Sequence, residues 1–194
     1  MVSIIAGFGT VQIAANGVAN SLDSMGCIVG QAMNLAMITV IGRCVGAGDS
    51  GQVRHYTKKL LKITYVCTFV VNSIILLCLP WILKCYGLSP ETTQLSYILV
   101  MIHNGMAMFL WPASFVLPNM LRACNDVRFT MMLSIFSMFM FRIGFSYIIG
   151  VNMGYGAIGV WIAMVLDWIF RVICFVSRYL SGHWLKTAGL KDNR

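Results

Sequence analysis

A chain of 194 residues that is 59% apolar and 10% charged is not composed like a soluble domain, where about a quarter of residues are charged. Its mean hydropathy is +0.81, and its apolar runs outlast the buried helices of a globular core. The net charge of +8 could suggest nucleic acid, but the basic residues gather at the turns between apolar runs, and no nucleic-acid partner is needed to explain them. The composition is that of an all-α integral membrane protein.

In chain order, residues 1–9, "MVSIIAGFG", are too short to span a bilayer and read as the outer end of an earlier helix. Residues 1–10 are therefore assigned to a stub and an outer loop, with an upstream helix expected before them. Five spanning helices follow at roughly 11–42, 60–83, 93–120, 128–150 and 157–178, each near or above the ~20 residues that a bilayer requires. Together they make a transmembrane bundle over 11–180, and residues 181–194 form a basic tail with Trp184 as an interface residue. "GAGDSGQVRHYTKK" joins the first pair. "KCYGLSPETT" joins the second, where Ser89 can cap a helix and Pro90 can take its first position. "RACNDVR" and "VNMGYG" complete the connections.

The basic residues set an orientation. Arg43, Arg54, Lys58, Lys59, Lys62, Arg122, Arg128, Arg178, Lys186, Lys191 and Arg194 fall on one side, and Lys84 alone on the other. The positive-inside rule makes the first side cytoplasmic, as for a multi-pass protein of the plasma membrane, with anionic lipid as a neighbour. The seven cysteines are scattered without a CxxC pair, and the three histidines lack ligand spacing. No metal site or disulfide framework is expected. Neither a nucleophile–base constellation nor a GxxxxGK[ST] loop is present in the sequence, so neither catalysis nor a nucleotide cofactor is expected.

Polar residues interrupt the first span. Gln12, Asn16, Asn20, Asp23, Gln31 and Asn34 recur at steps of four, four, three, eight and three, and Cys27 fills the gap of eight to complete one helical face. Gly26 and Gly30 form a GxxxG, which favours close helix packing. Packing needs one or two amides rather than a stripe along five turns, so the stripe is read as a wetted cavity wall. Asp23 lies about 18 Å from the outer end at 1.5 Å per residue, near mid-membrane. An acid there is paired, protonated, or placed to attract a cation.

Further polar residues lie deep in later spans. His103 and Asn104 sit a third of the way into the third span, followed by Trp111, Pro112 and Pro118. His103 is a cavity candidate with a packing role as its alternative, and the prolines either kink the helix or provide a bend point. Asn72 in the second span suits a single interhelical hydrogen bond. Asp167 and Arg171 are i,i+4, close enough to pair. Arg142 on the preceding helix lies within roughly 5–7 Å of the same depth, so Arg142, Asp167 and Arg171 are expected to form an intramembrane ion network that fixes helix register.

"AANGVANSLD", "VIGRCVGAGDSGQVRHYTKK", "LPNMLRACNDVRFTMMLS" and "GAIGVWIAMVLDWIFR", in this order, resemble the multidrug and toxic compound extrusion (MATE) transporters over nearly the whole chain. The resemblance implies helices eight to twelve of a twelve-helix protein built from two six-helix bundles, preceded by the end of helix seven. It implies no cofactor, exchange of an organic cation for Na⁺ or H⁺, and an amino-terminal bundle as partner, from the same gene or another chain. The polar stripe and His103 would then line the central cleft. Two departures stand out: Arg43 replaces a frequent Gln, and "HNGMAMFLWPASFVLP" lacks the acid that some branches carry in helix ten. The alternatives are a lipid-linked oligosaccharide flippase of related architecture, which would need unpaired arginines at Arg142 and Arg171, and a non-transporting membrane assembly subunit.

Overall fold

The computed structural model describes Ile5 and residues 7–191. Positions 1–4 and 6 of the expected stub, and 192–194 of the tail with Arg194, lie outside the described residues. Among the described residues there is no strand. Five helices are long and apolar enough to cross a membrane: α1 (Thr10–Gly46), α2 (Ser50–Cys85), α3 (Pro90–Ala123), α4 (Val127–Asn152) and α5 (Gly156–Leu180). A short α6 (His183–Thr187) closes the described chain. The molecule is an all-α, multi-pass membrane protein.

The helices outrun the apolar segments at their basic ends, and nowhere more than in α2, which begins at Ser50 rather than near 60. Asp49 accepts the Gln52 N–H at 3.0 Å and starts α2 as an N-cap. Hydropathy marks where lipid ends, whereas backbone hydrogen bonding carries the helix on into water; most of the expected loop is therefore helix. At the other end of α2, Ser89 Oγ accepts the Thr92 N–H at 3.3 Å and Pro90 takes the first position of α3, as the sequence indicates.

The prolines of α3 leave a local mark. Residues Pro112–Val116 form a π-helical turn, closed by the Leu117 N–H on the Pro112 carbonyl. A wider turn accommodates the bond that Pro112 cannot donate. The second half of α4, Met138–Asn152, is also π-helical, although no proline marks it.

α3 and α5 are the most enclosed spans, and α4 the least. α1 packs on α2 and α3, while α4 leans chiefly on α5. Small residues permit the closest contacts. A Cβ on Gly30 would fall within the Trp111 ring, and one on Gly26 would lie 2.5 Å from Asn72 Oδ1. The GxxxG is thus a seat for the Trp111 indole and for an amide of α2. On α5, a Cβ at Gly159 would come within 2.9 Å of Gly150 Cα on α4.

Two apolar clusters divide the interior. One gathers Ala15, Leu22, Leu79, Leu99 and Trp161, and the other Met37, Val53, Met120, Phe175 and Trp184. The second corrects the reading of Trp184 as an interface residue. The chain reverses at Gly182 (φ 69°) and tucks the indole under α5, where it is 1% exposed. Its N–H donates to the Tyr179 carbonyl at 3.2 Å.

Candidate functional site

The seam between the two clusters is polar on each helix that crosses it. On α1 it falls at Asp23–Gly26, on α2 at Asn72, on α3 at His103 and Asn104, and on α5 near Asp167. Asp23 meets His103 there, with Nδ1 2.8 Å from Oδ1. The contact is short but not aligned as a hydrogen bond. Cys27, one turn along α1, donates its thiol to the same Asp23 oxygen at 3.3 Å. His103 is 1% exposed and held edge-on by two indoles, Trp161 at 4.8 Å and Trp168 at 4.6 Å between ring centres. Asp23, by contrast, keeps 24% of its side chain exposed. A carboxylate thus faces outward from the bundle while an imidazole supports it from inside.

The stripe of α1 does not act as one wall. Gln12 Oε1 accepts the Ala157 N–H at 2.6 Å at the start of α5, and Asn16 Oδ1 accepts the Trp161 indole N–H at 3.0 Å. Both amides join helices. Asn20 is exposed, with its Nδ2 bonded to the Asn16 carbonyl at 2.9 Å. Gln31 is also exposed, and Asn34 Oδ1 is buried without a partner among the described residues. The open part of the stripe is therefore Asn20, Asp23 and Gln31. Asn72, deeper in, donates to the Thr68 carbonyl at 2.8 Å and across to the Gly26 carbonyl at 3.4 Å.

Asp167 and Arg171 are joined directly, and Arg142 lies close enough to interact with both through charge alone. Asp167 Oδ1 receives Arg171 Nε at 3.0 Å and the Ser137 hydroxyl, and Arg171 also reaches the Ser134 carbonyl at 3.3 Å. The hydrogen-bonded part of the expected network is thus a pair completed by serines of α4. Similar depth does not supply a direction: Arg142 Nε has no hydrogen-bond partner among the described residues, and the side chain turns instead to a cavity shared with Asn16 and Asn20.

Sequence reading missed a second clamp. Asp126, in the α3–α4 turn, takes Arg178 Nε at 2.8 Å and a second Arg178 nitrogen at 3.1 Å, while that guanidinium lies 4.4 Å from the Phe129 ring centre. The available signal was one acid in the basic stretch "RACNDVR". The two tryptophans around His103 carried no such signal, because aromatic residues are ordinary in spans. No group of three His, Cys, Asp or Glu residues able to hold a metal occurs among the described residues.

Comparison with known proteins agrees with this architecture. The MatE family model matches residues 1–148. A probable multidrug resistance protein NorM of Thermotoga maritima is 23% identical over 96% of this chain and 40% of its own length. A second NorM, from Agrobacterium fabrum, is 24% identical over 96% of this chain and 42% of its own. An uncharacterized transporter, YisQ of Bacillus subtilis, is 27% identical over 50% of this chain and 21% of its own. The chain spans about two fifths of the length of the two NorM relatives. Membrane helices in this order, with a family match over three quarters of the sequence, place the chain in the MatE family, the multidrug and toxic compound extrusion proteins.

Proposed function

We propose that this chain forms the carboxy-terminal half of a secondary antiporter that exports organic cations in exchange for Na⁺ or H⁺. Its place is the plasma membrane, with the basic turns and tail on the cytoplasmic side, and an amino-terminal bundle completes the cleft. The observation that carries the reading is Asp23, a partly exposed carboxylate deep in an apolar helix and backed by His103. An anion in low-dielectric surroundings draws cations strongly, and the exposed amides of Asn20 and Gln31 flank it. The printed names of the NorM relatives, multidrug resistance proteins, support the same direction. The flippase alternative loses one of its two arginines, since Arg171 is tied to Asp167.

The test is binding of tetraphenylphosphonium to the purified chain in nanodiscs. Asp23→Asn is expected to weaken it by about tenfold, the value of one charged contact, with helicity unchanged. Equal binding by both proteins would remove Asp23 from the site. Absence of binding in either would favour the assembly-subunit reading.

A further inference from the structure

α2 runs well beyond its apolar span at the basic end, and one of its faces changes character along the way. Arg54, Lys58, Lys62, Tyr65 and Phe69 follow at steps of four, four, three and four, which keeps them on a single helical face. The face is cationic for its first two turns and apolar beyond, and α2 carries no acid between Ser50 and Cys85. Hollows lie along it. At the basic end Arg54 and Lys58 line a cavity of about 130 Å³ with Tyr179, Gly182 and Trp184, where α5 reverses into α6. The Arg54 guanidinium lies 5.6 Å from the centre of the Trp184 ring, and that indole is itself tied to the Tyr179 carbonyl. Farther along, a groove of about 300 Å³ opens between α2 and α3, walled by Tyr65, Val66, Phe69, Val70, Met108 and Phe109. A hollow of about 210 Å³ holds Lys62 and Val66 together, and it joins the cationic part of the face to the apolar part.

From this arrangement we infer that the α2 face is a binding site for an anionic phospholipid of the leaflet that meets the basic end of the bundle. The lipid phosphate sits at Arg54, Lys58 and Lys62, and one acyl chain lies in the groove between α2 and α3. Depth and charge both favour this occupant. Lys62 and Phe69 are seven residues apart, or about 10 Å along the helix axis, so the groove lies in the hydrocarbon and the cations at its border. Lysine stems run along apolar surface and leave the ammonium in the headgroup layer. Each cation near an anionic surface contributes up to about fivefold in binding. A free phosphate would meet the same cations, but it would leave the groove unused and be screened by salt. The groove gives a chain little net apolar gain, because the bilayer is as apolar as its walls. It serves to fix the chain, and selectivity among headgroups falls to the cations. None of these residues belongs to the contact of Asp23 with His103, so the inference is independent of the cation reading.

The experiment counts the lipids retained by the purified chain in detergent micelles, using native mass spectrometry. The probes are dioleoylphosphatidylglycerol, dioleoylphosphatidylcholine and inorganic phosphate. Phosphatidylglycerol is expected to bind about tenfold more tightly than phosphatidylcholine, and Lys58→Gln with Lys62→Gln to remove most of that preference. Lys59→Gln with Lys186→Gln takes the same charge from the same end but off this face, and should leave the preference as it was. All four lysines are exposed, so these exchanges should leave helicity unchanged. Val66→Trp fills the groove from an exposed position and is expected to lower retention of both lipids alike. Equal binding of the two lipids, or an equal loss from both lysine pairs, would mean a diffuse surface charge and overturn the site. Retention indifferent to Val66→Trp would remove the acyl seat. Displacement of phosphatidylglycerol by an equal concentration of inorganic phosphate would make this a soluble-anion site and overturn the lipid assignment.

Discussion

Two acids lie in the interior of this bundle, and their surroundings differ. Asp167 is fully buried and receives a guanidinium and a hydroxyl on one oxygen. Asp23 is partly exposed and touches an imidazole out of hydrogen-bond alignment. The first is closed, a register pin between α4 and α5. The second is open on one side, with Asn104 nearby on α3 bringing two further amide atoms that have no partner among the described residues. Asp167 Oδ2 is buried without a hydrogen-bond partner among the described residues, but the guanidinium on Oδ1 supplies its counter-charge, whereas Asp23 keeps one side open; holding and binding are thus separated. Substitutions that strain each cluster should therefore fall on different readouts.

The largest effect on stability is expected at the closed cluster. Arg171→Ala strands Asp167 in the interior, where removal of one partner of a buried pair costs about 3–5 kcal/mol. Chemical unfolding in micelles should show that loss. The double change Asp167→Leu with Arg171→Met should recover most of it, because no charge is then left buried. A double variant as unstable as the single one would mean that the pair contributes more than mutual neutralisation. Gly30 comes next. A larger residue there must displace Trp111, and Gly30→Val is expected to cost about 1–3 kcal/mol through overpacking, read as a lower midpoint. Breaking the Asp126–Arg178 clamp with Asp126→Ala should cost about 1–2 kcal/mol, because Arg178 keeps 22% of its side chain exposed; a larger loss than at Gly30 would rank the two differently. Asp23→Asn should change stability by less than about 1 kcal/mol, as expected away from closed networks. A large loss at Asp23 would erase the distinction between the clusters.

How much of this could be read in the sequence depends on distance along the chain. The i,i+4 pair of Asp167 and Arg171 and the cap at Ser89 are local, and helical geometry alone sets them. The five spans also follow from local apolar content. The partner of Asp23 lies eighty residues away on α3, and nothing in the spacing of α1 names it. The same holds for Ser137, which completes the Asp167 pair, and for Asn16, whose stripe position gave no sign that Trp161 would occupy its oxygen. Periodicity shows which residues share a face. It does not show which of them the rest of the fold uses up. Depth alone groups Arg142 with Asp167, and depth omits the angle around the helix axis that turns Arg142 to the cavity it shares with Asn20.

The smallest effect concerns a thiol outside the spans. Cys124, in the α3–α4 turn, is buried, and burial, followed by the nearby Asp126 carboxylate, pushes its thiol from an ordinary 9.0 up to about 12. Cys85, at the opposite end of α2, is exposed. Only the thiolate reacts readily, so a maleimide at pH 8 should label Cys85 quickly and Cys124 slowly. The sign of the pH dependence follows from the same shift. A thiol held neutral in the folded chain favours that state below pH 9, and the advantage declines as the unfolded thiol ionises between pH 9 and 12. Asp126→Ala should narrow the contrast, because it removes the carboxylate and the Arg178 clamp together. Cys124 labelling should then accelerate while Cys85 labelling stays the same. Acceleration at both sites would mean that the turn is coupled to the whole bundle, whereas acceleration at Cys124 alone would confine the clamp's work to one end.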